Sequence, residues 1–219
     1  SKSIRLVVPF PPGGAVDFYA RAVQPALAEA LGQPVVIDNK AGASGMLGAG
    51  IVAQSAPDGY TLLLGNIASL AINVGIYDKM PYDPRKDFTH IVRTVDVNYV
   101  LVVHPSLPVK NVAELVQYAK ANPGKLSYGS AGRGSLPHLG TELLKAQAGI
   151  DMVHVPYKST PLALTDTMSG HVQMCFADPV TSLPQVKAGT VRCLGVGSRG
   201  RYKLTPDIPT LIEQGIPDF

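Results

Sequence analysis

The sequence predicts an α/β protein with two lobes, each built on a central, mainly parallel sheet flanked by helices. Short apolar runs of strand length alternate with stretches of helical spacing. The alternation has the spacing of βαβ units, and it restarts after a Pro-rich connection near the middle of the chain. At 219 residues, the chain is long enough for two lobes of ~100 residues, each with its own core.

The first lobe opens with the apolar run IRLVVPF, which stops at PPGG before a helix predicted from Ala15 to Leu31. PVVID follows as a strand, GASGMLGAGIVAQSA as a helix opened by glycine, and YTLLLGN as another buried strand. Helices on both faces of a parallel sheet are therefore expected. The polar, Pro-rich MPYDPRKDF then leads to two strand-like runs, HIVRTV and YVLVVHP. We place the boundary there, with lobes of residues 1–103 and 104–219.

The second lobe begins with NVAELVQYAKANPG, which predicts an amphipathic helix with an Asn cap and a Pro-Gly stop. Strands are predicted at KLSYGS, DMVHVPY, VQMCFAD and VRCLGVG, and helices at GRGSLPHLGTELLKAQAG, TPLALTDTMSG and TSLPQVKAG. The final stretch predicts a helix from Ile208 to Gln214 with no closing strand after it. We therefore expect that a C-terminal part of the fold is missing.

Composition narrows the class of protein. Hydrophobic residues make up 46% and charged residues 16% of the chain, so it should fold rather than remain disordered. The net charge of +3 is scattered, which argues against a nucleic-acid partner, and no apolar run approaches the ~18 residues of a membrane helix. Cys175 and Cys193 lie in strand-like runs, either as buried thiols or as a disulfide between adjacent strands.

The segment PFPPGGAVD lies where a predicted strand ends and a helix begins, which is where open α/β sheets bind ligands. Gly13 and Gly14 allow the backbone to approach a bound group, and the free amides of a helix start favour an anion. Phe10 and Pro11 shape the same loop. Asp17 either caps this helix start or faces an amine or hydroxyl of a ligand.

A second segment of this kind, GSAGRGSLPH, offers hydroxyls from Ser130 and Ser135 and exposed amides at Gly132 and Gly134, which together can cradle a carboxylate. Ala131 of the same loop is included as a candidate contact. It does not fit the P-loop or the dinucleotide fingerprint, so no nucleotide cofactor is expected. His138 of the same segment is a further candidate ligand contact. Polar groups also follow other predicted strands, and we include them as candidates: Gly65, Asn66, Ser69, Tyr157, Ser159 and Asp178. For Asn66 and Ser69, helix capping is an equal alternative.

Catalytic and metal-binding patterns are weak. The five histidines form no HExxH or HxH motif and do not pair with the cysteines, so we expect no metal and no cofactor. No G-x-S-x-G elbow occurs. His138 lies three residues after Ser135, but two neighbours on one helical turn are not a triad. We expect the protein not to be an enzyme, and an α/β hydrolase stays a weaker alternative.

Several motifs in one order resemble a single family: IRLVVPFPPGGAVDFYAR, PVVIDNKAGASGMLGA, PDGYTLLLGN, LSYGSAGRGSLPHL, VPYKS, and VKAGTVRCLGVGS with DIPTLIEQG. The chain is similar throughout to the Bug (TctC) family of substrate-binding proteins of tripartite tricarboxylate transporters. The resemblance implies the type II periplasmic-binding-protein, or venus-flytrap, fold. It also implies that residues 10–17 hold a ligand carboxylate, partly through ordered water, and that residues 130–135 contact the ligand from the other lobe.

The resemblance further implies a periplasmic, signal-cleaved protein, which we expect to be a monomer. It would capture a dicarboxylate, hydroxy acid, acidic amino acid or aromatic acid in the cleft between its lobes and deliver it to the membrane permease subunits of the transporter. The alternative is a sensing module that feeds a sensor kinase. Family members continue beyond the position matching Phe219, which supports the expectation of a missing C-terminal part.

Overall fold

A computed structural model describes residues 2–203, 205–217 and 219. The chain forms two compact units, Ser1–Thr94 and Val95–Phe219. Each unit has its own sheet, with helices packed on it. The α/β class predicted from the sequence is confirmed in both units.

The first unit contains a parallel three-stranded sheet in the order β2-β1-β3. Its elements are β1 (Ile4–Val8), α1 (Ala15–Leu31), β2 (Val35–Asn39), α2 (Met46–Ala53), β3 (Thr61–Leu63) and α3 (Asn73–Ile76), with a 3-10 turn at Ala43–Gly45 and a π-helical segment at Ala68–Ile72.

Alternate residues of β1 pack on one face of this sheet against α1. Ile4, Leu6 and Val8 are buried in one apolar cluster with Ala20 of α1. Met46 and Ala49 of α2 form a second cluster with Tyr82. α1 ends at Gly32, whose φ of 62° is the left-handed conformation that glycine adopts most easily at a helix C-terminus.

The second unit contains a five-stranded sheet in the order β6-β5-β7-β4-β8. β4 runs antiparallel to β7 and β8, while β5 is parallel to β6 and β7. The elements are β4 (Val100–Val103), α4 (Val112–Ala121), β5 (Ser127–Ser130), α5 (Leu136–Ala148), β6 (Val153–Pro156), α6 (Thr160–Met168), β7 (Met174–Ala177), α7 (Pro179–Lys187) and β8 (Arg192–Val196).

Both faces of this sheet are covered by helices. Leu101 and Phe176 pack in one cluster with Leu115 of α4 and Leu144 of α5. On the opposite face, Val102 and Cys175 form a second cluster that includes Ala163 and Leu164 of α6. Residues that alternate along β4 and β7 thus enter two different cores, as the period-2 geometry of a strand requires.

The position of β4 corrects the predicted boundary. The sequence placed it after residue 103, whereas the two units divide after Thr94. β4 is hydrogen-bonded between β7 and β8, so it belongs to the second sheet. The run HIVRTV just before it is not a strand. Ile91 and Val92 are 78% and 72% exposed, because a strand-like pattern forms a strand only where a partner backbone is available.

The predicted helix from Ile208 to Gln214 is also wrong. Thr210 forms a parallel bridge with Val196, and residues 211–215 form turns instead. The Val196 N–H donates to Pro209 O, and the Leu211 N–H donates to Val196 O, both at 3.0 Å. Pairing with β8 at Thr210 therefore replaces the start of the helix that local spacing favours.

The cysteines are free thiols. Both lie opposite Val102, Cys175 on one side of β4 and Cys193 on the other. Two strand spacings separate them by about 10 Å, beyond the ~7 Å between Cα atoms that a disulfide can bridge. The disulfide alternative is wrong, because β4 lies between the two strands.

Candidate ligand-binding site

In the second unit, four strands end at one edge of the sheet and antiparallel β4 begins there. Val100, the first residue of β4, lies opposite Ala177 and Val196, the last residues of β7 and β8. The predicted candidates Ser130, Tyr157 and Asp178 therefore come together at this edge. Tyr99 joins them, although the sequence analysis missed it, because nothing in the local pattern shows that β4 runs antiparallel.

Ser130 organises the turn that follows β5. Its side chain is fully buried, and its Oγ accepts a hydrogen bond from the Gly132 N–H at 3.1 Å. The same oxygen lies 2.6 Å from His154 Nε2 on the neighbouring strand β6. Ser135 Oγ donates to Gly132 O at 2.7 Å. Ser130 and Ser135 thus hold Gly132 from both sides.

The start of α5 completes this loop. Gly132 and Gly134 have φ of 102° and 80°, conformations that strain any residue with a Cβ. Ser135 is the N-cap of α5, and its Oγ accepts from the His138 N–H at 3.4 Å. His138 Nδ1 accepts from the Gly134 N–H at 3.2 Å. The N–H groups of Gly132 and Gly134, which the sequence analysis offered to a ligand, therefore each have a partner within the protein.

An aromatic and ionic cluster lies behind this loop. The His154 ring stacks on Tyr128 with a centroid separation of 4.9 Å and lies 4.3 Å from the His138 ring. The Tyr128 hydroxyl donates to Glu142 Oε1 at 2.6 Å, and Lys145 Nζ donates to the same oxygen at 2.8 Å. The charge of Glu142 is thereby balanced within the cluster.

Burial controls protonation in this cluster. It lowers the pKa of His154 to about 4, with a further lowering from His138 and an opposing effect of Glu142. Burial also lowers the pKa of His138, again against Glu142. For Glu142, hydrogen bonds from Lys145 and Tyr128 outweigh burial, so its pKa lies below the ordinary value. At neutral pH both imidazoles are neutral and Glu142 is ionised.

The other predicted residues of the second unit lie at the starts of α6 and α7. Asp178 is the N-cap of α7, and its Oδ1 accepts from the Thr181 N–H at 3.0 Å. Burial raises the pKa of this carboxyl. Ser159 is the N-cap of α6 and is buried, yet no described group donates to its side chain as a cap. The Tyr157 hydroxyl donates to Asp166 Oδ2 at 2.6 Å.

In the first unit, the loop after β1 is built around a buried carboxylate. Asp17 Oδ2 accepts from the Gly13 N–H at 3.0 Å and from Arg21 Nε at 2.9 Å, and Oδ1 accepts from Asn39 Nδ2 at 3.0 Å. Burial would raise the pKa of Asp17, but the hydrogen bonds of Arg21, Gly13 and Asn39 outweigh it and lower the pKa. Asp17 thus holds the loop through Gly13, which precedes the N-cap Gly14, and does not cap the first N–H groups of α1. Asn39 also donates to Phe10 O at 3.0 Å.

The start of α1 differs from that of α5. Its N-cap, Gly14, has extended φ and ψ of −89° and 172°, and no side chain of the described residues caps the helix there. The first N–H groups of a helix have no intrahelical acceptor. Gly13 and Pro12 are exposed, and Pro11 is half-exposed. The backbone of this loop is therefore accessible to a polar ligand.

Asn66 and Ser69 bind each other at the end of β3. The Ser69 N–H donates to Asn66 Oδ1, and the Asn66 N–H donates to Ser69 Oγ, both at 3.1 Å. This reciprocal pair matches the capping alternative. Gly65 has a packing reason as well, since a Cβ there would lie 2.7 Å from Leu70 Cδ1.

The turn at residues 42–46 was not recognised as part of this edge. A Cβ on Gly45 would lie 3.2 Å from Ser69 Cβ and 3.4 Å from the Phe10 ring. Ala43 and Ser44 have positive φ of 46° and 51°, which is rare outside glycine. A sequence signal existed, because the small residues of GASG are what such a turn requires.

Other kinds of site find little support. A cavity of about 270 Å³ in the second unit has a lining without charged side chains: Val97, Tyr99, Leu136, Leu139, Gly140, Leu143, Phe176, Gly197 and Phe219. Within the described ranges, no three His, Cys, Asp or Glu residues are grouped as metal ligands would be. No described helix is long and apolar enough to span a membrane.

These two α/β units, with loops and helix starts gathered at the carboxyl edges of their sheets, define the class of periplasmic-type solute-binding folds. The family model described as "Tripartite tricarboxylate transporter family receptor" matches residues 19–219. The chain belongs to this TctC family, as its motifs predict. The family is one of receptors, not of enzymes.

Solved structures agree with this assignment. A protein of R. palustris solved with adipate is 39% identical, with a TM-score of 0.96, over 100% of this chain and 73% of that one. MatC from Rhodopseudomonas palustris, with bound malate, is 32% identical with a TM-score of 0.92, over 99% and 73% of the two chains. The periplasmic binding protein BugD is 32% identical with a TM-score of 0.93, over 100% and 73%.

One curated relative shows how much of a longer protein this chain spans. A protein of Pseudomonas sp. strain P51, described as a UPF0065 protein in the tcbD-tcbE intergenic region, is 41% identical over 100% of this chain and 65% of its own length. The chain therefore spans slightly less than two thirds of that relative.

Proposed function

We propose that the protein binds a small organic carboxylate, with residues 10–17 and 130–135 as contact segments, and serves as the periplasmic receptor of a tripartite tricarboxylate-type transporter. One observation carries the proposal: α1, α5, α6 and α7 each begin within a few residues of the end of a parallel strand. Helix starts present backbone N–H groups and the positive end of the helix dipole, and both favour an anion.

In the first unit, neutral backbone donors rather than a fixed cationic side chain are suited to holding the ligand carboxylate. Residues 9–17 contain no Lys or Arg, and Arg21 is already bound to Asp17. The uncapped start of α1 supplies amides instead. In the second unit, Ser159 adds a buried hydroxyl and the start of α6 adds amides. A carboxylate held in this way exchanges water for charge-assisted hydrogen bonds from backbone donors.

The similar proteins support a dicarboxylate or hydroxy acid as the ligand. Adipate accompanies one of them and malate another. BugD is a periplasmic binding protein, which supports the same compartment for this chain. We propose delivery to permease subunits over a sensing role, because the family is described as a transporter receptor.

The first test is direct binding. Purified protein is examined by native mass spectrometry for a retained small molecule, and then titrated calorimetrically with adipate, malate and, as a control, the diamine putrescine. We expect stoichiometric binding of at least one carboxylate without turnover and no binding of the diamine. Absence of heat and of thermal stabilisation with every carboxylate, or consumption of the ligand, would contradict the proposal.

A pair of glycine variants tests the contact segment. Gly132→Ala and Gly149→Ala both place a Cβ at positive φ, 102° and 63°, so each should destabilise the fold by about 1 kcal/mol. Gly149 follows the far end of α5. We expect Gly132→Ala to weaken carboxylate binding at least tenfold and Gly149→Ala to leave it unchanged. Equal affinities would remove residues 130–135 from the site.

The transport role needs a cellular test. Uptake of the radiolabelled ligand is compared in cells with and without the gene for this chain. Lost uptake supports delivery to a permease. Unchanged uptake together with lost ligand-dependent gene expression would favour the sensor-kinase alternative.

A further inference from the structure

Two imidazoles lie directly behind the glycine loop, which we define as residues 131–135. We infer that His138 and His154 are positioning residues, whose neutral rings hold the N–H groups of Gly132 and Gly134 and thereby fix the shape of the glycine loop. The inference rests on the proposed function only in assigning this loop to a ligand. His138 was predicted to contact the ligand, and His154 was not singled out from the sequence. The inference gives both residues the role of supporting the loop rather than of contacting the ligand.

His138 holds Gly134 directly. The Gly134 N–H donates to His138 Nδ1 at 3.2 Å, and a ring nitrogen accepts a hydrogen bond only when it carries no proton. His138 must therefore be the neutral tautomer with its proton on Nε2. A protonated ring would present an N–H to an N–H, and this hydrogen bond would be lost.

His154 holds Gly132 through Ser130. His154 Nε2 lies 2.6 Å from Ser130 Oγ, which in turn accepts from the Gly132 N–H at 3.1 Å. If Nε2 is unprotonated, Ser130 donates its single proton to it. Gly132 O then accepts from Ser135 Oγ at 2.7 Å and from the Ser135 N–H at 3.1 Å, so two donors already share this carbonyl oxygen.

Protonation of His154 would reverse this arrangement. Its Nε2–H would donate to Ser130 Oγ, whose own proton would then turn to Gly132 O, 3.3 Å away. The Ser130 hydroxyl would then be a third donor to Gly132 O, in competition with the hydroxyl and the N–H of Ser135. The loop therefore has its fully matched set of hydrogen bonds only when both rings are neutral.

The surroundings keep the two rings neutral. Their centroids are 4.3 Å apart, so one charged ring opposes a charge on the other. Arg133 and Lys145 add positive charge, and the negative charge of Glu142 opposes them. The other face of His154 is covered by Tyr128. Burial is the largest effect on both rings and lowers the pKa of each.

The experiment uses two variants at each histidine. The variant His138→Asn keeps an acceptor close to the place of Nδ1 but cannot titrate, whereas His138→Leu removes the acceptor. Likewise, His154→Gln keeps a polar atom close to the place of Nε2, and His154→Phe keeps the stacking without it. His171→Asn is the matched control, since His171 is exposed and lies outside the cluster.

The first readout needs no ligand. The ¹H–¹⁵N resonances of Gly132 and Gly134 are followed in the free protein from pH 7.5 to below the pKa of His154, which is about 4. In the wild type and in His171→Asn, we expect both to shift as the imidazoles titrate. In His138→Asn the Gly134 resonance should become independent of pH, and in His138→Leu it should lose its hydrogen-bonded shift at every pH. A Gly134 resonance identical in His138→Leu and wild type would overturn the inference.

The second readout is affinity for adipate, or for whichever carboxylate the wild type binds. We expect His138→Leu and His154→Phe to weaken binding roughly tenfold, the equivalent of one lost hydrogen bond. His138→Asn and His154→Gln should stay within about threefold of wild type. Equal losses in the conservative and apolar variants would overturn the positioning role. If the wild type binds no carboxylate, the proposed function fails, and the glycine resonances still decide the inference.

Discussion

The loops after β1 and β5 occupy equivalent places in their two units, but different chemistry holds them in shape. In the first, the buried carboxylate of Asp17 binds Gly13, Arg21 and Asn39. In the second, neutral hydroxyls and imidazoles bind Gly132 and Gly134. Among the described residues, no side chain caps the start of α1, whereas Ser135 caps the start of α5. Either an ionic or a neutral network can therefore fix the backbone of a strand-loop-helix segment.

The two networks should respond differently to mutation and to acid. In the ionic network one side chain makes several of the hydrogen bonds that stabilise the loop, so a single substitution removes them together. A neutral network distributes the contribution over Ser130, Ser135 and two histidines. The following predictions test this contrast.

The largest effect is expected at Asp17, which is 3% exposed. Asp17→Ala should lower the free energy of unfolding of the first unit by about 3 kcal/mol, because buried hydrogen bonds to a charged group are lost together. Urea denaturation with amide hydrogen exchange over residues 4–39 measures it. Asp58→Ala, at an exposed pair with Lys2, is the control and should change little. Equal effects of the two variants would show that the network is not concentrated in Asp17.

The next largest effect on stability is expected where α2 packs closely against the loop after β1. A Cβ on Gly48 of α2 would lie 2.8 Å from Lys40 O and from Pro9 Cα, both backbone atoms. Gly48→Ala should therefore lower the unfolding free energy by about 2 kcal/mol. Gly75→Ala is the matched control, since a Cβ there meets nothing within 4 Å and alanine favours a helix. A Gly48→Ala protein as stable as the control would refute this packing requirement.

Changes to the helix caps should alter the unfolding free energy in opposite directions in the two loops. Ser135→Ala removes the N-cap of α5 and should cost about 1 kcal/mol of unfolding free energy. Gly14→Ser adds a capping hydroxyl to α1 and should stabilise by a few tenths of a kcal/mol. Thermal unfolding of both variants measures the difference. A destabilised Gly14→Ser would mean that the extended backbone at residue 14 does not accept a cap.

The smallest effect is the response to acid. The folded-state pKa of His154, about 4, lies below its ordinary 6.5. Between these values the unfolded chain binds more protons, so the contribution of His154 is complete above pH 6.5 and is lost as the pH falls to about 4. The pKa of Asp17 is lowered below 3.8, so its contribution persists until more acidic conditions. Hydrogen exchange at pH 7, 5.5 and 4.5 should therefore show the second unit weakening first.

His154→Gln provides the control for this pH response. It removes the titrating ring, so the stability of the second unit should vary less between pH 6.5 and 4. An undiminished slope would assign the pH dependence to other groups.

The sequence by itself determined the local elements of this protein. The helix from Ala15 to Leu31 and the Asn111 cap of α4 match the structure, because helical spacing and capping depend on residues within a few positions of one another. The glycine-rich segments after β1 and β5 were predicted as strand-to-helix connections for the same reason. Several motifs in one order were also sufficient to indicate the family.

Tertiary structure decided what depends on distant partners. Because β4 pairs antiparallel with β7 and β8, it belongs to the second unit, which begins after Thr94. For the same reason Tyr99 lies at the edge of the candidate site, and the two cysteines lie on strands that β4 separates. Pairing with β8 replaced the helix predicted after Ile208 with a bridge at Thr210. The partner of Ser130 is His154, 24 residues further along the chain. Local sequence specifies which conformations a segment favours, whereas strand order and side-chain partners depend on which distant backbone and side chains the fold brings into contact.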